Sequence, residues 1–102
     1  MLFTAAEQTY ADLILEHLDP ERAFFAHRFY RHHCFHLPAA GFYLKDLRIL
    51  GDRPLEDTLI VDNSILSFSA QLDNGVPICS FTGNPNDREL AYLMTYLEEI
   101  FH

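Results

Sequence analysis

Positive charge is scarce in this sequence. Seven Lys and Arg residues stand against 15 Asp and Glu, and the formal net charge is −8. Because nucleic-acid backbones and anionic lipid surfaces are held by basic patches, this balance argues against both as partners. Recognition of any phosphate-bearing ligand must then depend on a few placed groups, with a bound cation offsetting the acidic background.

Cysteine and long apolar runs are scarce as well. Cys34 and Cys79 form no CxxC pattern, and we expect both to be reduced and to behave as small core residues. No apolar run approaches the roughly 20 residues of a membrane span. The start "MLFTAAEQTY" lacks the basic residues of a signal peptide. The sequence therefore predicts an intracellular protein, nuclear or cytoplasmic.

Apolar residues are plentiful by contrast. They make up 49% of the 102 residues and include nine Phe and five Tyr, enough for one hydrophobic core. We predict a single domain over residues 1–102. Short strands at "LF", "FYL" and "TLIVD" alternate with a helix over residues 5–18 and a last helix whose apolar face packs in the core. This order is typical of an α/β sheet with helices on its faces.

Two capping signals mark the predicted helix starts. Thr4 is followed three residues later by Glu7, and Asn86 is followed by Glu89. A hydroxyl or amide side chain with Glu three positions on is the capping-box pattern. We therefore expect Thr4 to cap the first helix and Asn86 to cap the last.

Polar side chains stand directly after three predicted strands. They are Thr4 after "LF", Lys45 after "FYL" and Asp62 at the end of "TLIVD". Ligands of open α/β sheets bind beyond the carboxyl ends of the strands, so a hydroxyl, an ammonium and a carboxylate there favour a phosphate-and-metal site. Each has a plainer interpretation alone: a helix cap for Thr4, a solvated side chain for Lys45 and a turn for Asp62.

Six segments in order resemble one family of phosphatases. The family is that of the RNA polymerase II C-terminal-domain small phosphatases, also called NLI-interacting-factor-like or Dullard-like, of the haloacid dehalogenase superfamily. The resemblance covers essentially the whole chain. The segments that carry it are "LFTAAEQTYADLILEHLD", "YRHHC", "YLKDL", "LIVDNS", "LDNGVPICSF" and "NDRELAYLMTYLEEI". It implies a haloacid-dehalogenase-like, Rossmann-like parallel sheet flanked by helices, and hydrolysis of phosphoserine or phosphothreonine with Mg²⁺ through an aspartyl-phosphate.

The resemblance also implies roles for individual residues. Thr4 and Lys45 match catalytic positions that bind the phosphoryl oxygens and offset their charge. Asp62 and Asn63 match the motif that holds Mg²⁺. Two further residues, Tyr10 and Arg31, match positions that line the substrate groove. Glu7 stands where the family tends to place an apolar groove residue, and its negative charge should disfavour a phosphate nearby.

One departure concerns the nucleophile. The family uses two aspartates of a DxDx(T/V) motif on a central strand, and no two aspartates of this chain are separated by one residue. We expect a domain that lacks this strand and exposes two unpaired strand edges. The leading hypothesis is the C-terminal part of a Mg²⁺-dependent protein serine/threonine phosphatase that is inactive alone. The alternative is a non-catalytic phosphopeptide-binding or oligomeric pseudophosphatase module.

The hypotheses also predict partners. A phosphorylated protein tail is the expected substrate or ligand, and nucleic acid is not expected. A second copy of the chain, or a missing N-terminal segment, would complete the sheet.

Overall fold

A computed structural model describes residues 1–100 of the chain. It contains six short strands and two α-helices, joined by turns of 3₁₀-helix. The strands are β1 (Leu2–Phe3), β2 (Arg28–Phe29), β3 (Phe35–Leu37), β4 (Phe42–Leu44), β5 (Ile60–Asp62) and β6 (Gly75–Pro77). The helices are α1 (Gln8–Leu18) and α2 (Glu89–Ile100). The predicted order of strands and helices is therefore confirmed.

The strands form three separate two-stranded sheets, not the single parallel sheet that we predicted. β1 pairs in parallel with β2, and β5 pairs in parallel with β6. Between them in sequence, β3 and β4 form an antiparallel hairpin. Lys45 thus follows a hairpin strand, so our placement of its strand in the parallel sheet was wrong. The wider sheet does not form because no described strand lies between β1 and β5.

The first helix begins later than the sequence predicted. Its first residue is Gln8, with Glu7 at the N-cap position in an extended conformation and without a side-chain capping bond. Thr4 instead closes a tight turn, because its Oγ1 accepts a hydrogen bond from the Ala6 N–H at 3.1 Å. The predicted capping box of Thr4 and Glu7 is therefore wrong. One face of α1 is anchored by the buried side chains of Ala11 and Leu15.

The last helix also differs from its prediction. Its N–H at Glu89 is capped by the side chain of Asp87 at 2.9 Å, not by Asn86. We expected its apolar face to pack in the core, yet none of its described residues is buried. Leu90 and Met94 are 72% and 62% exposed. The narrow two-stranded sheets leave this helix without an apolar surface to cover, and Phe101, predicted on the same face, lies outside the described residues.

A small core holds the second half of the chain together. Leu47, Ile60 and Phe68 are buried against one another, with Leu50 packed beside them. The chain approaches this cluster closely at Gly75, where a Cβ atom would lie 2.1 Å from the Phe68 ring. Only glycine fits there. This contact seats β6 beside the 3₁₀ segment Ile65–Asn74 and so fixes the position of β5.

An open cleft of about 530 Å³ lies between the first and third sheets. Its lining is largely apolar and includes Phe3 of β1, Val61 of β5 and the side chains of Phe29, Leu50 and Leu59. Alternate residues of β1 and β5 make the hydrogen bonds to the neighbouring strands. Leu2 and the following Thr4 bond to the β2 side, and Asp62 bonds to Ile78, which follows β6. The peptide groups of Phe3 and Val61 therefore point away from those partners.

The cysteines differ from their prediction. Both cysteines are free, but Cys79 is exposed and Cys34 is only half-buried, so our expectation of two core cysteines was wrong. Neither described helix combines the length and the apolar character that a membrane crossing would need.

Candidate functional site

Lys45 and Asp62 form a buried ion pair. The ammonium of Lys45 donates a hydrogen bond to Oδ2 of Asp62, and the two side chains are only 10% and 6% exposed. Lys45 follows β4 and Asp62 ends β5, so two of the three predicted strand-end residues meet directly. Neither the solvated lysine nor the plain turn describes what the structure shows.

A polar network fixes the backbone around Lys45. The N–H of Lys45 donates to the Ser67 carbonyl at 2.7 Å. Asp46 accepts from Gln71 at 2.9 Å, and Gln71 in turn accepts from the Leu47 N–H at 3.0 Å. A side-chain hydrogen bond from Arg48 holds the pKa of Asp46 well below its usual range, so this carboxylate stays charged. The network ties the end of β4 to the segment after β5 and aims Lys45 at Asp62.

Asp62 and Asn63 present oxygen donors at the end of β5. The second carboxylate oxygen of Asp62 accepts from the Ser64 N–H at 2.9 Å. Asn63 donates its amide to the Ser80 hydroxyl at 2.9 Å, which leaves its amide oxygen available. One carboxylate and one amide oxygen fit part of a Mg²⁺ site, since this ion takes one or two carboxylates plus waters. No group of three or more His, Cys, Asp or Glu gathers within residues 1–100.

Thr4 lies at the turn between β1 and α1. Its backbone N–H continues the ladder to β2 through the Phe29 carbonyl at 2.9 Å. Because Oγ1 already accepts from the Ala6 N–H, its own proton remains free to donate to a ligand. A threonine hydroxyl held this way is suited to bind an oxyanion.

Cys34 lies beside the Thr4 turn. Its thiol lies 3.8 Å from the Thr4 carbonyl oxygen and 3.6 Å from that of Tyr30. Burial raises the pKa of the Cys34 thiol, while the charges of Lys45 and Arg31 act in the opposite direction. The thiol is therefore kept neutral beside the charged groups. Sequence analysis gave Cys34 no role, since an isolated cysteine carries no spacing signal.

The two predicted groove residues have different surroundings. Arg31 donates from Nε to the Ala5 carbonyl at 2.7 Å and from Nη1 to Glu7 at 3.3 Å. Its guanidinium carbon lies 4.9 Å from the centre of the Tyr43 ring, within range of a cation–π contact. Arg31 thus stands beside the Thr4 turn. Tyr10 is 62% exposed on α1, and its assignment to a substrate groove stays a prediction.

His33 holds the segment that carries Arg31. Its Nδ1 accepts a hydrogen bond from the Tyr30 N–H at 2.9 Å, which requires a neutral ring with Nδ1 unprotonated. Burial lowers the pKa of His33, and the neighbouring charge of His32 lowers it further. The sequence offered no signal for this role, because the bond depends on the 3₁₀ turn over Arg31–His33.

The sequence matches a family model and several known proteins. The family model described as NLI interacting factor-like phosphatase matches residues 1–102. The chain is 44% identical over 100 residues to CTD small phosphatase-like protein 3 of Caenorhabditis elegans, covering 98% of this chain and 34% of that protein. It is 43% identical over 101 residues to carboxy-terminal domain RNA polymerase II polypeptide A small phosphatase 1 of Homo sapiens, covering 98% of this chain and 37% of that protein.

A third relative is named for the nuclear envelope. Nuclear envelope morphology protein 1 of Schizosaccharomyces pombe is 35% identical over 100 residues, covering 98% of this chain and 20% of that protein. The chain thus spans about a third or less of the length of these relatives. From the match over its whole length, together with the resemblance carried by its motifs, the chain belongs to the NLI interacting factor-like phosphatase family.

Proposed function

We propose that this chain forms the C-terminal part of a Mg²⁺-dependent protein phosphatase that hydrolyses phosphoserine or phosphothreonine. The observation that carries the proposal is the buried ion pair of Lys45 and Asp62 at the ends of β4 and β5. Burying an ammonium and a carboxylate together carries a desolvation cost, which their attraction repays only with good geometry and further hydrogen bonds. Clustered charged groups at strand ends are characteristic of functional sites.

The residues of this chain have separate tasks in the proposed reaction. Lys45 offsets the negative charge of the phosphoryl oxygens, and the Thr4 hydroxyl donates a hydrogen bond to one of them. Such pre-positioned donors stabilise the charge that develops during phosphoryl transfer. Asp62 and Asn63 would hold Mg²⁺, which supplies further positive charge at the phosphoryl group when it is bound.

The nucleophile of the proposed reaction is an aspartate outside this chain's motifs. Its carboxylate oxygen attacks phosphorus, the bond from phosphorus to the serine oxygen breaks, and the serine oxygen takes a proton from a general acid. Water then attacks the phosphoryl group, which releases inorganic phosphate and restores the carboxylate. No aspartate of this sequence has the DxD spacing of that motif.

The cleft supports a proposal about where that aspartate belongs. The peptide groups of Phe3 and Val61 turn away from their partner strands, and both residues line the cleft. An added strand would pair with both edges and cover their apolar surroundings. We therefore propose that an extended segment, from an N-terminal part of the same polypeptide or from a second chain, completes the sheet there and carries the nucleophile. We also propose a nuclear or cytoplasmic location, since one relative is named for the nuclear envelope.

The proposal is tested with Lys45→Gln in the full native polypeptide. Hydrolysis of a phosphoserine peptide with Mg²⁺ should fall by about a hundredfold, as for loss of one transition-state donor. Arg88→Gln is the matched control, since it removes one positive charge from an exposed site. A phosphopeptide that binds without hydrolysis, and loses binding in Lys45→Gln, would instead establish the binding module. Binding and hydrolysis both absent would reject the proposal.

A further inference from the structure

The ion pair of Arg31 and Glu7 is exposed, unlike the buried pair of Lys45 and Asp62. Arg31 Nη1 lies 3.3 Å from Glu7 Oε1, and the side chains are 42% and 69% exposed. The guanidinium is also held from two other directions, by the Ala5 carbonyl and by the face of Tyr43. Its position is therefore fixed, and its Nη1 donor is already engaged by a carboxylate.

The backbone places this pair beside the Thr4 turn of the candidate site. The N–H of Arg31 donates to the Ala6 carbonyl at 3.0 Å, and the N–H of Ala6 donates to the Thr4 hydroxyl. Glu7 follows Ala6 directly and occupies the N-cap position of α1 without a side-chain hydrogen bond to the helix. The Glu7 carboxylate is therefore available to other partners, and it pairs with Arg31 next to the Thr4 turn.

From this contact we infer that Glu7 determines the substrate specificity of the site. With the Glu7 carboxylate bound to Arg31, the site accepts a phosphorylated peptide that carries a basic residue near the phosphorylated one. It discriminates against a peptide with a second phosphate, because Glu7 repels that phosphate and occupies the guanidinium that would bind it. The inference rests on the proposed function, since it concerns the substrate of the same site.

The expected size of the effect follows from exposure. Both side chains reach solvent, so the charge interactions are screened and modest. Removing the Glu7 charge should change relative peptide affinities by roughly two- to fivefold, and the change should shrink as salt is raised. The Lys45–Asp62 pair remains intact in such a variant, so binding of a singly phosphorylated peptide with neutral neighbours should hardly change.

The experiment compares three phosphoserine peptides by fluorescence anisotropy in the full native polypeptide, with divalent metal chelated to prevent turnover. One peptide has neutral neighbours, one has an arginine beside the phosphoserine, and one carries a second phosphoserine. Glu7→Gln should bind the doubly phosphorylated peptide more tightly than wild type and lose the preference for arginine. Glu21→Gln is the matched control, because this exposed carboxylate lies beyond the far end of α1.

Each result bears on the inference. Loss of the arginine preference in Glu7→Gln, with the preference kept in Glu21→Gln, supports the assignment. Peptides that bind with the same ranking in both variants and in wild type overturn it while leaving the proposed function intact. If none of the peptides binds the wild-type protein, and none is hydrolysed once Mg²⁺ is restored, the proposed function fails and the inference fails with it.

Discussion

Two buried ion pairs in this molecule have similar exposure and different surroundings. The Asp19 carboxylate accepts hydrogen bonds from the N–H groups of Ala23, Phe24 and Phe25 and from the Arg28 guanidinium at 3.0 Å. The Asp62 carboxylate accepts from one N–H, that of Ser64, and from the Lys45 ammonium. Asp19 is thus bonded mainly by backbone, and Asp62 mainly by a flexible side chain.

The difference suits the Asp19 pair to a structural role and the Asp62 pair to the functional role that we propose for it. Burial opposes ionisation of Asp19, yet bonds from the Phe24 and Phe25 backbone and from Arg28 hold its pKa below the ordinary value. These bonds organise the loop between α1 and β2 and leave the carboxylate nothing to offer a ligand. Asp62 can exchange the Lys45 ammonium for another cation, because only side-chain rotation is needed.

The largest expected effect tests the structural side of this comparison. Arg28→Met keeps most of the side-chain volume but leaves the buried Asp19 without its cation. Breaking a buried pair this way should cost about 3 kcal/mol of unfolding free energy, measured by urea denaturation. Hydrolysis per folded molecule should stay at the wild-type rate. Loss of activity with unchanged stability would show that the Asp19 pair serves the reaction instead.

Asp62→Asn tests the functional side. We expect hydrolysis of a phosphoserine peptide to fall by about a hundredfold, because the site loses the charge that faces Lys45 and the proposed metal. The substitution also leaves the buried Lys45 ammonium without its carboxylate, so the loss of unfolding free energy should be comparable to that in Arg28→Met, and the loss of hydrolysis distinguishes the two variants. Steady-state kinetics measure the loss of hydrolysis in the two variants, and urea denaturation measures the loss of stability. A fully active Asp62→Asn protein would show that Asp62 does not belong to the site.

The next prediction concerns the support behind Asp62. Gly75→Ala places a methyl group into the Phe68 ring, which is 2% exposed and has no room to move. Overpacking of this kind should cost about 2 kcal/mol. A thermal melt gives the loss, and Gly83→Ala, which meets no atom within 4 Å but has a positive φ, shows how much comes from backbone strain alone. Equal losses in the two variants would contradict the steric argument.

The smallest effect distinguishes the region of His33 from both ion pairs. The folded state lowers the pKa of His33 from 6.5, so the unfolded chain binds more protons as pH falls below that value. Its contribution to stability is therefore present above pH 6.5 and lost on acidification towards the folded pKa. The groups facing the ring are Tyr30, His32 at 4.0 Å between ring centres, and Phe29.

A His33→Asn variant isolates this contribution. The asparagine oxygen keeps an acceptor for the Tyr30 N–H but does not titrate. Urea midpoints measured between neutral and mildly acidic pH should then vary less in the variant than in wild type. Identical pH profiles would mean that another histidine governs the response.

Sequence reasoning was most successful where side chains follow strands. The ends of β4 and β5 were predicted from short apolar runs, but the two strands lie in different sheets, so the direct contact between Lys45 and Asp62 was not predicted. The Asp19 network was not predicted, because its bonds join a helix end to an irregular loop that has no periodic pattern. The capping box at Thr4 was wrong for a related reason: Thr4 and Ala6 close a local turn that competes with the helix start.

The apolar face of α2 shows a different limit. Leu90 and Met94 recur at helical spacing and the helix forms as predicted, but periodicity does not say whether another element covers that face. Burial depends on a sheet wide enough to receive the helix. The narrow sheets of residues 1–100 are too small for that.

The Lys45–Asp62 pair has a consequence for the chemistry of the chain as a whole. Lys45 is the only lysine among the 102 residues, and it is buried. Acylation, methylation and ubiquitin transfer all require an accessible side-chain amine, so while the pair is closed these residues offer such enzymes no lysine. An amine-selective reagent would consequently label this side chain in proportion to how often the pair opens, and would thereby count the opening events directly.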